Sequence, residues 1–234
     1  YSESTGIIDS HNFMLSLLGE FERSGGHIVY QSPFLSANFI GDQKFDVCIG
    51  GNSNTKIRTR YLINCAGLNA PRIAELIDRM PKHKIPKAYF AKGNYFSLTG
   101  KSPFRRLIYP IPQPGGLGVH LTIDMNDSAK FGPDVEWLDI ESEDQINYQV
   151  DSDRSNKFYA SIRQYWPDLK EGALVPNYSG VRPKIRLEGF ADFIFQTKVD
   201  HSLDGLINLY GFESPGLTSS LAIAEHVKNL ITCQ

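Results

Sequence analysis

No stretch of the chain approaches the roughly 18 consecutive apolar residues from which a bilayer-spanning helix is read, and the most apolar helical segment carries Glu225, His226 and Lys228. A spanning helix is therefore not expected, while peripheral contact with a membrane surface stays open. Cysteine is scarce. Cys48, Cys65 and Cys233 are odd in number and fit no C-x-x-C or His-rich spacing, which argues against a disulfide scaffold and a zinc or other metal site. They read as reduced thiols in a cytoplasmic compartment, with a position peripheral to the inner membrane left open. An excess of one charge is missing too: 24 basic and 26 acidic residues give a formal charge of −2, so nothing draws the chain as a whole to nucleic acid. Small molecules or proteins are the expected partners. There is no charged-then-apolar signal region, no internal repeat and no low-complexity tract. Two glycosylation sequons, Asn126-Asp127-Ser128 and Asn177-Tyr178-Ser179, are patterns short enough to arise by chance.

What is present is an ordinary globular composition: 234 residues, 41% apolar and 21% charged, enough for one large domain or two small ones. The first residue is Tyr1, and the chain reads as a piece of something longer. Asp9 or Ser10 is placed to cap a helix with Phe13, Met14, Leu17, Leu18 and Phe21 on one face, stopped by Gly25-Gly26 and expected to lie on a sheet. Strands are expected at 27–31, 34–40, 45–49 and 56–64, the last three as an antiparallel meander. Small residues at Cys65-Ala66-Gly67 then lead into a helix over 70–80. A Pro- and Lys-containing stretch at 81–87 marks a boundary, after which longer aromatic-rich strands are expected at 88–98, 107–111 and 118–123. The Gly115-Gly116-Leu117-Gly118 run precedes a strand and reads as a hairpin turn. A surface helix over 153–166 carries Phe158, Ile162 and Tyr165 at helical spacing and ends at Pro167. Strands return at 178–185, 193–196 and 206–210.

The last segment carries the most information. An apolar strand over 206–210 runs through Gly211-Phe212-Glu213-Ser214-Pro215-Gly216-Leu217-Thr218 into an amphipathic helix opening between Gly216 and Ser219. Gly211 and Gly216 permit close approach of backbone to a ligand, and a helix N-terminus favours negative charge, so a phosphate or an electron-rich ring edge suits this turn. An ordinary strand-to-helix turn with a Ser or Thr cap explains the same residues.

Five segments in a fixed order (Thr5-Gly6-Ile7-Ile8-Asp9, Ile63-Asn64-Cys65-Ala66-Gly67-Leu68, Lys92-Gly93-Asn94-Tyr95, Gly118-Val119-His120-Leu121-Thr122 and Gly180-Val181-Arg182-Pro183), closed by the final strand–turn–helix, resemble the later two-thirds of FAD-dependent enzymes of the D-amino-acid-oxidase-like superfamily, in particular L-2-hydroxyglutarate dehydrogenases and oxidases. The resemblance implies an α/β (α+β) fold: a partial FAD/NAD(P)-binding-like domain over 1–80 and again over 176–234, with an antiparallel-sheet substrate domain over 81–175. It implies FAD as cofactor, a small 2-hydroxy acid as substrate and an unspecified electron acceptor. The G-x-G-x-x-G unit with which such enzymes hold the FAD pyrophosphate has no counterpart here, so the chain alone is expected to bind FAD poorly and to be inactive. An amino-acid oxidase of the same architecture and a non-catalytic binding domain are alternatives.

Oxidising a 2-hydroxy acid requires a cation for its carboxylate, a base for its hydroxyl proton and an acceptor for its α-hydride. Through the resemblance, Arg182 is the candidate cation, His120 the base, Tyr109 a second contact to carboxylate, and Lys92 a neutraliser of the flavin or of a distal carboxylate. Gly211, Ser214, Pro215, Gly216, Leu217 and Thr218 would face the flavin ring; Cys65, Ala66 and Gly67 would pass near the pyrophosphate; Phe34 would offer its backbone to adenine. Apart from these roles, Arg182 fits a surface ion pair, His120 a core histidine, Tyr109 a packed ring and Cys65 a small buried filler.

Overall fold

The structure is a computed structural model that describes residues 1–52, 54–111, 118–189 and 191–232. In chain order its elements are α1 (Ser10–Arg23), β1 (Phe34–Gly41), β2 (Lys44–Ile49), β3 (Thr55–Thr59), β4 (Leu62–Asn64), α2 (Ala70–Glu75), β5 (Tyr89–Leu98) and β6 (His120–Ile123). There follow β7 (Ala129–Gly132), β8 (Glu136–Leu138), α3 (Ser155–Ile162), β9 (Leu174–Lys184), β10 (Ile194–Gln196), α4 (Lys198–His201), β11 (Leu206–Tyr210) and α5 (Ser220–Thr232). The chain forms two compact units: one from Tyr1–Glu20, Ala91–Ile140 and Asp144–Val181, the other from Phe21–Phe90, Glu141–Glu143 and Arg182–Gln234.

The second unit contains two sheets. β1, β2 and β3 form the expected antiparallel meander, with Ala37 opposite Val47 and Phe45 opposite Thr59. In the other sheet β11 is central, antiparallel to β10 and parallel to β4, with Ile207 opposite Ile63. Every residue of β11 is buried, as expected of a strand covered on both faces. Ala37, Phe45, Ala74, Leu206 and Tyr210 share one core, and α5 closes a smaller one by laying Val227 on Ile207 and Leu209.

Across this mixed sheet runs a chain of buried side-chain amides. The Asn64 amide donates to the Ala70 carbonyl at 2.8 Å and to the Asn208 side-chain oxygen at 3.0 Å. Asn208 donates to the Gln196 side-chain oxygen at 3.2 Å, and Gln196 donates to the Lys84 carbonyl at 2.8 Å. Slipping β11 by one residue would turn Asn208 to the opposite face and strand both neighbours, so these amides specify the register.

The first unit is built on the sheet β6-β7-β5-β8, with β9 paired to β5. Phe96 and Phe131 meet across β5 and β7 and pack with Leu121, Phe158 and Ile162, all fully buried. β6 turns into β7 at Asp124, whose carboxylate accepts the Asn126 and Ser128 amides at 2.9 and 3.0 Å. A charged cluster sits deeper: Asn94 donates to Asp134 and Glu136, and the Arg154 guanidinium donates to Asp134 at 2.6 Å.

Several expectations from the sequence are corrected. Residues 27–31 form no strand; Gln31 takes a left-handed φ of 53°. The strand expected over 56–64 is two, because the Thr59 hydroxyl ties to both the amide and the carbonyl of Tyr61 and bends the chain from one sheet to the other. The helix expected to reach Met80 stops at Glu75, where Leu76 and Asp78 exchange backbone bonds with Ala37 of β1. Residues 107–111 give one bridge, Ile108 to Leu121, instead of a strand, since Pro110 has no amide to continue a ladder. The helix expected over 153–166 is a short 3-10 turn followed by α3, which ends at Ile162; Phe158 and Ile162 lie in the core, as their helical spacing implies. Asp9 caps α1 as expected, accepting the Asn12 amide at 3.0 Å, but α1 buries no residue and leaves Met14 and Phe21 about half exposed. Among the described residues no helix is long and apolar enough to cross a membrane. Most of the Gly115–Gly118 run, and Cys233, lie outside the described residues.

Replacing Asn208 by Ala removes one link of the amide chain and orphans the Asn64 donor and the Gln196 acceptor at once. Each orphaned group costs on the order of 1–3 kcal/mol. A urea titration of Asn208→Ala should therefore show a clearly lowered midpoint; a wild-type midpoint would mean that the amides do not hold the sheet.

Candidate functional site

Because β4 and β11 are adjacent and parallel, their carboxyl ends open on the same edge of the sheet. Cys65-Ala66-Gly67 leaves one strand there and Gly211 leaves the other. Gly67 and Gly211 line a single narrow cleft of about 10 Å³, room for about one water molecule, with Leu68, Pro183, Lys184 and Ile185. Gly67 has φ +58° with open space where a side chain would begin, and Gly211 has φ +73° with the Ile185 side chain 3.0 Å from that point. Both conformations favour glycine. Carboxyl ends of parallel strands are the general location of ligand crevices in α/β sheets.

The loop after Gly211 is held down from β9. Arg182 and Lys184 lie two residues apart on that strand and so share a face. Lys184 donates to the Glu213 carboxylate, and the Arg182 guanidinium lies 3.5 Å from its second oxygen. Glu213 thus binds two cations to the loop. At 3.5 Å the Arg182 contact is long, and its side chain is 27% exposed, which leaves most of the fork of donors available to an anion. Glu213 and Lys184 were not anticipated from the sequence; the i, i+2 pair of cations on one strand was the available signal.

Beyond Glu213 the chain folds back on itself. The Gly216 amide donates to the Glu213 carbonyl at 2.5 Å, and the Pro215 carbonyl accepts the Ser219 amide and the hydroxyls of Thr218 and Ser219. Helix α5 begins at Ser220, with the Ser219 carbonyl accepting the Ile223 amide as its first helical bond, at the end of the expected 216–219 window, and part of the donor set expected to face a ligand is satisfied within the turn. Ser214, Pro215, Leu217 and Thr218 are exposed. Cys65 is exposed and not a buried filler, although partial burial raises its thiol pKa; without a neighbouring base it has no activated thiolate. Phe34 starts β1 in the other sheet, paired with Ile49 and packed on the core.

The remaining candidates lie in the first unit. His120 and Tyr109 stack face to face, ring centroids 4.1 Å apart and planes 9° from parallel. Tyr109 is 57% exposed and forms part of the wall of a cavity of about 740 Å³. Lys92 is buried; its ammonium donates to the Gln149 carbonyl at 2.6 Å and lies 3.9 Å from Glu136, so its charge is engaged inside the unit. Among the described residues no group of acidic, His and Cys side chains is arranged to hold a metal.

The small residues at the ends of two parallel strands lie beside the cations Arg182 and Lys184, and the comparisons with known proteins name a flavin-dependent family. The FAD dependent oxidoreductase (DAO) family model matches residues 1–230, and the chain belongs to that family. It is 38% identical to the mitochondrial L-2-hydroxyglutarate dehydrogenase of Arabidopsis thaliana over 97% of its own length and 55% of that protein. To a glycerol 3-phosphate dehydrogenase of Caloramator mitchellensis it is 29% identical over 99% of its length and 45% of that protein. The chain thus spans about half the length of these curated relatives. Among solved structures, L-alpha-glycerophosphate oxidase from Mycoplasma pneumoniae with FAD bound superposes with a TM-score of 0.73 at 19% identity, covering 90% of this chain and 53% of that one. That likeness establishes the mixed helix-and-sheet fold of the family.

A side chain at position 216 would start 2.7 Å from the Glu213 carbonyl oxygen and 3.4 Å from that of Phe212. Gly216→Ala must therefore open the turn that Glu213 anchors, at a cost of about 1–3 kcal/mol. Chemical unfolding of the variant measures this; an unchanged midpoint would show that the turn is not held in the observed conformation.

Proposed function

We propose that the FAD-loaded enzyme oxidises L-2-hydroxyglutarate, or a close 2-hydroxy acid, to the corresponding 2-oxo acid. The observation that carries this reading is the convergence of Gly67 and Gly211 on one cleft beside Pro183 and Lys184, in a chain with 38% identity to an L-2-hydroxyglutarate dehydrogenase over nearly its whole length. Gly67 and Gly211 with the turn as far as Thr218 would hold the flavin, Cys65 and Ala66 would lie along its pyrophosphate, and Phe34 would serve adenine through its backbone. The glycine-rich βαβ unit that grips the pyrophosphate has no counterpart in these 234 residues and completes the site in the full-length enzyme.

Bound FAD supplies the acceptor for the α-hydride. The chain's own residues do the rest. Arg182 binds the carboxylate next to the reacting carbon, its charge tempered but not cancelled by the long contact to Glu213. His120 takes the hydroxyl proton as the carbon–oxygen double bond forms, a task an imidazole nitrogen can perform. The parallel stack of Tyr109 on His120 limits rotation of the imidazole and keeps its orientation constant between turnovers. In this scheme Lys92 acts indirectly, by fixing β5.

Stopped-flow flavin reduction over a range of L-2-hydroxyglutarate concentrations separates these roles. Arg182→Leu removes a charge-assisted contact of about 1.5–3 kcal/mol and should weaken substrate binding roughly 10- to 150-fold. His120→Ala should slow the reduction step itself by about 10²–10⁴-fold. Normal reduction by the His120 variant across the accessible pH range would leave His120 as a packed histidine and remove it from the mechanism.

A further inference from the structure

The cavity of about 740 Å³ in the first unit has a use that the assignment of Arg182 and His120 leaves open. Two consecutive arginines, Arg105 and Arg106, line it together with Tyr109, the residue stacked on the candidate base His120. Both arginines are exposed, and among the described residues no carboxylate forms an ion pair with either guanidinium. Arg106 lies over the Tyr1 ring, 4.9 Å from its centroid, a contact that uses the face of the guanidinium and leaves its edge donors free. Three acids also line the cavity. Asp124 is taken up by Lys130 at 3.1 Å and by the Asn126 and Ser128 amides, while Glu3 and Asp127 lie outside ion-pair range of both arginines.

We infer that Arg105 and Arg106 form the subsite for the second carboxylate of a dicarboxylic substrate, the one remote from the reacting carbon. The inference rests on the proposed 2-hydroxy-acid chemistry and deepens it. A five-carbon 2-hydroxy dicarboxylate carries an anion at each end, and the oxidation chemistry engages only the end next to the hydroxyl. The remote carboxylate would lose hydration on entering a cavity unless it met a cation with free planar donors. Arg105 and Arg106 supply such donors in the wall that also contains Tyr109, so one cavity contacts the remote anion and borders the residue that orients the base. The preference for a dicarboxylate over a monocarboxylate then resides in these two side chains. A remote phosphate presents the same anionic chemistry and is separated from a carboxylate in the test.

The test has two arms. In the FAD-loaded enzyme, Arg105→Gln combined with Arg106→Gln should raise KM for L-2-hydroxyglutarate about 10- to 150-fold and leave KM for L-2-hydroxyvalerate, which lacks the remote carboxylate, within about twofold. Equal changes for the two substrates, or no change for either, overturn the inference while leaving the 2-hydroxy-acid reading intact. The second arm needs no turnover: glutarate titrated into the 234-residue chain should shift the side-chain Nε–H resonances of Arg105 and Arg106, which are lost in the double variant. Unmoved arginine resonances refute the subsite directly, and displacement of glutarate by tenfold less inorganic phosphate refutes the carboxylate assignment in favour of phosphate. An enzyme that binds glutarate at these arginines and oxidises no 2-hydroxy acid would instead refute the proposed reaction, and with it the inferred subsite role. Both positions are exposed, so an unfolding midpoint matching wild type identifies a properly folded double variant.

Discussion

The parallel pairing of β4 with β11 is the constraint from which the rest of the second unit follows. It joins residues 144 positions apart through the Asn64–Asn208 amide bond, a long-range closure with a large entropic cost that local propensity cannot repay. The compensation is burial of all of β11 and a chain of amides that is satisfied only in one register. An apolar strand in that position would gain more from burial but would tolerate slippage; the amides give up some of that gain for a unique alignment.

Alignment is also what brings the two strand-end glycines together. With Leu206 opposite Leu62 and Asn208 opposite Asn64, the two strands end together, and the glycines that follow them reach the same cleft. Glu213 adds the second restraint by tying the loop after Gly211 to Lys184 and Arg182 on β9. Two cations on one carboxylate leave a net positive charge beside the cleft, which favours an anionic ligand or a ring that accumulates negative charge on reduction. The charges of the first unit are handled differently. Lys92 and Arg154 are committed to Gln149, Asp134 and Glu136, and Arg105 and Arg106 face a cavity.

Much of this could be read from the chain alone, for reasons visible in particular residues. The meander from Phe34 to Thr59, the strands 206–210 and 194–196 and the cap at Asp9 follow from alternation, apolar runs and turn chemistry, which act locally. The resemblance to FAD-dependent oxidoreductases was legible in short motifs because their order, and not any one of them, carries the information. What failed was whatever tertiary pairing decides. The helix at Ala70 is cut short by backbone bonds to Ala37, invisible in the helical pattern of 70–80. β7 and β8 were missed although the Asp124-Met125-Asn126-Asp127-Ser128 turn announces a hairpin, and α4 was missed although Thr197 and Asp200 form a capping box. Gly67 and Gly211 stand out in the sequence because each follows an apolar strand, and the structure gives both a positive φ. Glu213, Lys184, Arg105 and Arg106 do not stand out, because a charged residue in a sequence does not disclose whether it has a partner.

The central claim is that the carboxyl ends of β4 and β11 form the flavin-facing edge. Amide hydrogen exchange of the full-length enzyme, compared with and without FAD, addresses it without turnover or mutation. The account predicts added protection in two separate peptides, one covering 65–68 and one covering 211–218, at FAD concentrations that saturate the flavin fluorescence change. Saturation with protection confined to other segments, and exchange at Gly67 and Gly211 unchanged, would contradict it.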